Sequence, residues 1–477
     1  LLFQATALVF GQNKTVNVRT YGAKGDGVSN DYPALKKAVA QINAQQGGVL
    51  YFPPGTYYLD VYHQAGRGGR AARGDDSTKT IAATPVDLKN TNPSSKAKPK
   101  NPTTPLQQTD QQASPDVTDL EFKNCDGLRI YGEQATIAVN GKIHRKITRI
   151  NARHTFSSIM ALTPIKLSYC KNVTIEGLTL DGNVDQMSKD KKVNESGGHL
   201  LFINKSENVR LKNLYIHHAQ TDGIYIRNQS KNVTGDNVVS SNNARQGMSI
   251  IQLDKGVFND CKFINTGITG GEYGRHAPSG GVDIEPNRQT EGVVDIQFNN
   301  CTFANNRGPQ FMVSHPATTR QIVLRSCKFI ADEKSNRLGV MVNAKDVVFE
   351  DCYFELGKAN IYPARKPGTS SVFRNCVIRS SSSGFIAVNE GTERSVVIDR
   401  CTLEYTGTTR ISSYFPYINM INMVFTNNTI KVPSQYYKAS GVSGMVMNSK
   451  QVSGNRYQSN GRNVKEQMSV KGSRVTN

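Results

Sequence analysis

FNNCTF at residues 298–303 returns as LRSCKF at 324–329, FEDCYF at 349–354, FRNCVI at 373–378 and IDRCTL at 398–403, so a cysteine recurs at 301, 327, 352, 376 and 401. The intervals are 26, 25, 24 and 25 residues. A period of this length marks a solenoid, whose units bury their apolar faces only by stacking on one another. Upstream, NVRLKNLYI, NVTGDNVVS and GVFNDCKFI carry on the phase, with Asn213, Asn237 and Cys261 in line. Each repeat also holds a short alternating run: GIYIRN, GMSIIQ, GVDIEP, QFMVSH, GVMVNA or FIAVNE. Period-two alternation turns the Ile and Val of these strands inward and their neighbours outward.

A chain of 477 residues would ordinarily divide into several domains, but a stacked array stays one body at this length. With 41 Gly, no Trp and 37% apolar residues, the composition suits many short strands joined by turns. Eight cysteines would suggest a disulfide framework in an exported chain. Five of them at one phase argue instead for a buried stack of free thiols, with room for one oxidised pair. They show no CxxC spacing of a zinc site. The formal charge of +20 calls for a polyanionic partner, either nucleic acid or an acidic or sulfated polysaccharide. No basic helix or RNA-binding signature supports nucleic acid.

Residues 16–59 read as strand, Gly-rich turn, helix and strand; Asp31 can cap the helix, and Leu35, Val39 and Ile42 give it an apolar face. Here YGAKGDGVSND, followed by GGVLYFPPGTYYL, resembles the N-terminal signature of the pectate-lyase-like right-handed parallel β-helix superfamily. That superfamily includes pectate lyases, several glycoside hydrolase families, alginate epimerases and phage tailspikes. The resemblance implies an all-β, right-handed parallel β-helix of ~24–26-residue coils with an N-terminal helical cap. Its motif builds the cap and is silent about the reaction, so Asp26 and Asp31 read as turn and cap groups.

Residues 1–12 read either as a signal-peptide remnant or as a strand or helix on the first coil. Residues 13–62 form the cap and first strands, 63–118 a polar, basic insertion without apolar periodicity, 119–430 the solenoid core and 431–477 a C-terminal cap or tail. A second excursion occurs near Val184–Gly198. No segment has the ~20 apolar residues needed to span a bilayer. The expectation is an exported monomer, secreted, periplasmic or on a bacterial cell surface.

The repeat is interrupted between Cys261 and Cys301, a step of 40 residues, by ITGGEYGRHAPSGGVDIEPN at 268–287. A long loop on one coil is where such architectures place function. Asp283 and Glu285 lie at i and i+2 of one strand, so both face outward with Cα atoms roughly 6.6 Å apart. Carboxyl groups about 6.5 to 9.5 Å apart accommodate a water and give inverting glycoside hydrolysis. Glu285 is assigned as acid and Asp283 as base, with the order open to reversal, and His276 and His315 as neighbouring catalytic groups. Arg227, Tyr225, Tyr273, Arg275, Arg307 and Asn343 are the expected substrate-binding residues. On the same face, Asp283 and Glu285 could instead hold Ca²⁺ for β-elimination of a uronate, with Arg227, Arg275, His276 or Tyr273 as base and acid. The hydrolase route requires no cofactor. The NTD, DD, GHG and RIK pattern of pectinase-type hydrolases is missing, as is the DPHE motif of alginate epimerases, so neither assignment carries over.

Two competing readings remain: a carboxylate pair idle at a strand end, and a tailspike-like or adhesin-like β-helix that binds glycan without cleaving it. The clustering of loop, aromatic, basic and acidic residues within 13 positions weighs against the first. His217 and His218 read as surface histidines in a turn.

Overall fold

A computed structural model of the chain describes residues 15–60, 107–109 and 119–471, with interruptions chiefly at 141–143, 150–154, 187–194, 269–274, 387–393, 409–413, 434–442 and 464–467. Segment 1–12, nearly all of insertion 63–118 and Tyr273 lie outside the described residues. The rest is a right-handed parallel β-helix. Nine strands form one parallel sheet: Glu121–Lys123, Ile165–Ser168, Leu201–Asn204, Asp222–Arg227, Gln246–Ile250, Gly280–Ile284, Phe311–Val313, Leu338–Val342 and Asn360–Tyr362. A longer sheet wraps the remainder of each coil. Among the described residues no helix is long and apolar enough to cross a membrane.

The longer sheet bends in each coil at a left-handed residue, Asn213, Asn237, Asp260, Asn300, Ser326, Asp351, Asn375, Arg400 or Asn427, with φ between 50° and 56°. Asn and Asp tolerate this conformation better than other non-glycine residues, which explains their frequency at the corner. The residue after the corner turns inward. Val239 pairs with Lys262, so Val238, and Leu214 below it, stack with Cys261. The alignment of Asn213 and Asn237 with the cysteines is therefore one residue out: asparagine occupies the corner and the thiol the site after it.

All eight cysteines are free and buried. From Cys261 onward each thiol donates to a carbonyl of the preceding coil, as in Cys301 Sγ to Phe258 O and Cys327 Sγ to Phe298 O, both 3.3 Å. Asn428 and Asn455 continue this column after Cys401, donating through Nδ2 to Ile398 O and Phe425 O. Beside it, Phe263, Phe303, Phe329 and Phe354 stack with successive centroid distances of 5.6, 4.9 and 4.6 Å. Each such buried ring contributes on the order of 1.5–3 kcal/mol.

At the N-terminal end, helix α1 (Tyr32–Ala44) buries Leu35, Val39 and Ile42 over the first coil. Asp31 stands at its N-cap but makes no capping hydrogen bond. Its carboxylate instead accepts from Lys24 N and Gly25 N, clamping the Gly-rich turn. At the other end the coil repeat runs past residue 431: Gln451–Ser453 and Arg456–Ser459 pair in parallel with Met423–Thr426 and Thr429–Lys431. Arg462–Asn463 then adds antiparallel to Arg456–Ser459.

Candidate active site

Register in the nine-stranded sheet sets Phe202, Tyr225, Ser249, Asp283, Met312 and Met341 in one outward row. A second row, two residues on, carries Asn204, Arg227, Ile251, Glu285, Ser314 and Asn343, as the hydrogen bonds Ile251 N to Ile226 O, Glu285 N to Ile250 O, Ser314 N to Ile284 O and Asn343 N to Val313 O require. Arg227 and Asn343 therefore flank Glu285 at two coils on either side, about 9.6 Å each way at 4.8 Å per coil.

A third row precedes these two, and sequence reasoning missed it. Gly223, Gly247 and Gly281 stand where a Cβ would strike the polar groups or carbonyls of the adjoining coil. Their lack of a side chain lets the strand entries stack closely. The residues before them include Asp222 and Gln246, paired in register, and His199 and Arg245 converge on Asp222. Arg245 grips Asp222 bidentately, Nε to Oδ1 at 2.7 Å and Nη2 to Oδ2 at 2.5 Å. His199 Nδ1 lies 3.2 Å from Asp222 Oδ2, and its ring stacks on Tyr225 at 4.0 Å. The available signal was the glycine in TDGIYI, RQGMSI and SGGVDI, preceded in the first two by a polar residue, Asp222 or Gln246, at an inward phase.

Asp283 is 3% exposed, whereas Glu285 is exposed. Gln246 fixes one oxygen: its Nε2 donates to Asp283 Oδ2 at 2.8 Å while its Oε1 accepts from Gly280 N. Oδ1 of Asp283 is buried and receives no donor. Burial, then the adjacent Glu285 carboxylate, pushes the Asp283 pKa well above the ordinary range; Arg245 opposes this, and Asp222 adds to it. Burial acts on Asp222 in the same direction, but the Arg245 charge and hydrogen bonds, with help from His199, hold it well below that range. The result is a fixed ion pair next to a buried carboxyl whose pKa is raised, with a second carboxylate exposed beside it.

The two carboxylates differ in setting: Asp283 is buried and held by Gln246, whereas Glu285 is exposed. Asp283 and Glu285 stand two residues apart on the same outward side of one strand, as the i, i+2 spacing requires. Tyr225 offers no free ring face for a sugar, being 8% exposed and covered by His199. Arg227 is partly committed to Glu291, with Nη2 3.6 Å from Oε1.

The remaining expected residues lie on the neighbouring loops and coils. Arg275 is exposed and His276 half-buried, its backbone N bonded to Ala244 O. Arg307 is held by its N to Thr266 O, and the following Gly308 N donates to Ser279 O, so the turn carrying Arg307 packs against both ends of the 268–287 loop. His315 adopts φ 68° beyond Ser314, and Asn343 is buried. Among the described residues no third His, Cys or carboxylate joins Asp283 and Glu285 at ligand distance.

Residues 15–62 match the family described as rhamnogalacturonase A/epimerase, pectate lyase-like, and residues 108–289 match the right-handed β-helix region. Mannuronan C5-epimerase AlgE6 of Azotobacter vinelandii is 49% identical over 45 residues, 9% of this chain and 5% of that protein. The chain thus spans a small part of that curated relative's length. The surface protein and adhesin PfbA of Streptococcus pneumoniae superposes with a TM-score of 0.51 at 14% identity, over 97% of this chain and 100% of the other. The family 28 exopolygalacturonase of Yersinia enterocolitica gives 0.47 at 11% identity, over 97% and 78%. The likeness to PfbA is one of fold.

Proposed function

We propose that this right-handed parallel β-helix, whose first coils match the pectate-lyase-like family and whose residues 108–289 match the right-handed β-helix region, is an exported enzyme that hydrolyses an anionic polysaccharide at Asp283 and Glu285. The observation that carries the reading is the environment of Asp283: a carboxyl that keeps its proton because it is buried beside a second carboxylate is equipped to protonate a glycosidic oxygen. In this mechanism Asp283 delivers the proton from Oδ1, the oxygen that Gln246 leaves free. Glu285, exposed and able to swing outward, takes a proton from the attacking water. Gln246 and the Asp222–Arg245 pair keep Asp283 in place. Arg227 shares the outward row of Glu285 two coils away, and Arg275 and Arg307 stand on the loop and turn next to this strand, basic groups that suit uronate or sulfate and agree with the +20 charge.

Elimination with Ca²⁺ uses the same face, but a buried, protonated carboxyl is a weak ligand for a hard cation, so the donor set favours hydrolysis. A panel of uronate and sulfated glycans, assayed in parallel for new reducing ends and for unsaturated-uronate absorbance, tests the proposal. Reducing ends without unsaturation, insensitive to EDTA and reduced about 10²-fold or more by Asp283→Asn and by Glu285→Gln, are expected. Full activity in the double variant sinks it, and unsaturated products abolished by EDTA establish the elimination route instead.

A further inference from the structure

On a different face of the coil, where the long sheet leaves Lys171–Asp181 and Glu207–His217, two adjacent histidines meet two carboxylates. Asp181 and His217 are register partners on neighbouring coils, with His217 Nδ1 3.5 Å from Asp181 Oδ1. His218, left-handed at φ 54°, turns its ring back so that its Nδ1 lies 2.6 Å from His217 Nδ1. The three atoms Asp181 Oδ1, His217 Nδ1 and His218 Nδ1 come from side chains that offer ligand atoms within 4.8 Å of one another.

The outer contacts orient these ligands. His218 Nε2 lies 3.4 Å from Asp185 Oδ2, so the carboxylate holds the ring N–H on that side and turns the Nδ1 lone pair toward His217. Metal-binding histidines are oriented in this way, by a carboxylate on the far nitrogen. Asn183 N donates to Asp181 Oδ1 at 2.8 Å. Gly182 N and Val184 N bond His217 O and His218 O, locking the turn that carries Asp181 and Asp185 against the histidine pair. Tyr215 packs on the His217 ring at 4.3 Å. All three ligands are half-buried, which leaves a solvent-facing position for water.

We propose that Asp181, His217 and His218 form a binding site for a borderline divalent transition metal, best suited to Zn²⁺, that ties two coils together. Two neutral imidazoles and one carboxylate are a nitrogen- and oxygen-rich set that Zn²⁺ accepts in tetrahedral geometry, the fourth position taken by water. Metal–nitrogen bonds of 2.0–2.1 Å place tetrahedral ligands about 3.3 Å apart. The two Nδ1 atoms need to separate by only about 0.7 Å, a small rotation of the half-exposed His218 ring. The histidines that sequence alone leaves idle are thereby each given a partner and a direction.

Untagged protein stripped with chelator and titrated with Zn²⁺ by calorimetry, then with Co²⁺ by visible absorption, tests the site. One equivalent of Zn²⁺ should bind and raise the thermal midpoint, since a ligand bound only by the native state stabilises it. Co²⁺ should give the intense bands of a tetrahedral site. His217→Gln and His218→Gln should each abolish the midpoint shift and the bands, and Asp185→Asn, outside the ligand set, should weaken binding about 10- to 100-fold. Absence of Zn²⁺ binding overturns the proposal. So does binding that all three variants retain at wild-type strength, which would locate the metal elsewhere. If a histidine variant fails to fold, Asp185→Asn decides alone.

Discussion

Replacing Asp222 by asparagine keeps the shape of the side chain and removes one charge from beneath the candidate site. The Asp222 side chain has no exposed surface and Arg245 retains 19%, so the variant leaves a guanidinium largely buried without its counter-ion. Breaking a buried pair in this way costs about 3–5 kcal/mol, whereas an exposed pair would cost less than about 1. The double variant Asp222→Asn, Arg245→Met removes the orphaned charge as well and should recover most of the loss. Guanidinium unfolding of the wild type, both single variants and the double variant reads the effect as a shift in midpoint at constant slope. A single-variant cost below about 1 kcal/mol, or a double variant as unstable as the sum of its singles, refutes the picture of a buried, mutually dependent pair. The same variants move the active site in opposite senses. Asp222 raises the Asp283 pKa and Arg245 lowers it, so the basic limb of the pH–rate profile should fall in Asp222→Asn and rise in Arg245→Met. A shift in the same direction for both would contradict the electrostatic assignment.

Asp283 has a folded pKa raised above its unfolded value, so its favourable contribution is complete below the ordinary carboxylate range and is lost as pH rises through the folded value. Asp283→Asn should therefore raise the thermal midpoint at pH 7–8 relative to wild type while giving no gain near pH 3; equal effects at both pH values would show that the carboxyl is not perturbed. The eight thiols, each at most 1% exposed, should resist a thiol reagent in the native protein and react in full after denaturation; rapid native labelling of any cysteine from 261 to 401 would disprove the ladder. Affinity for a polyanionic glycan should fall steeply with salt, because solvent-exposed charged contacts are screened within about 8 Å at physiological ionic strength; equal affinity for the neutral counterpart would remove the charge argument.

The fold was legible because a solenoid writes its period into the chain. The spacing from Cys301 to Cys401 is repeated in three dimensions as one buried column, and the alternation in GIYIRN and GVDIEP predicts the outward rows that the register shows. The corner was read one residue out because asparagine and cysteine are neighbours there, and only backbone dihedrals distinguish the left-handed residue from the inward one. The carboxylate pair could be found from its loop and its i, i+2 spacing. The supporting layer could not: Asp222 and Gln246 are polar residues at an inward phase before a glycine, and Arg245 and His199 reach Asp222 from neighbouring coils. The proton assignment depends on the difference in burial between Asp283 and Glu285, a property of the assembled surface.

The backward reach of the inward side chains gives the stack a direction. Cys301, Cys327, Cys352, Cys376 and Cys401, then Asn428 and Asn455, each donate to a carbonyl already fixed in the coil before it. In the neighbouring column Cys170 reaches back to Phe122 O, and Cys125 to Asn43 of helix α1. A new coil thus finds its acceptors waiting on the older one, and the helix supplies the first of them. A chain emerging amino end first, from a ribosome or through a membrane pore, can then set each turn on a finished template. Removing coils from the carboxyl end leaves every remaining thiol or amide side chain of this column with its acceptor, whereas removing them from the amino end strands the next one in the core. For this column, shortening the rod should therefore cost less from the carboxyl end than from the amino end.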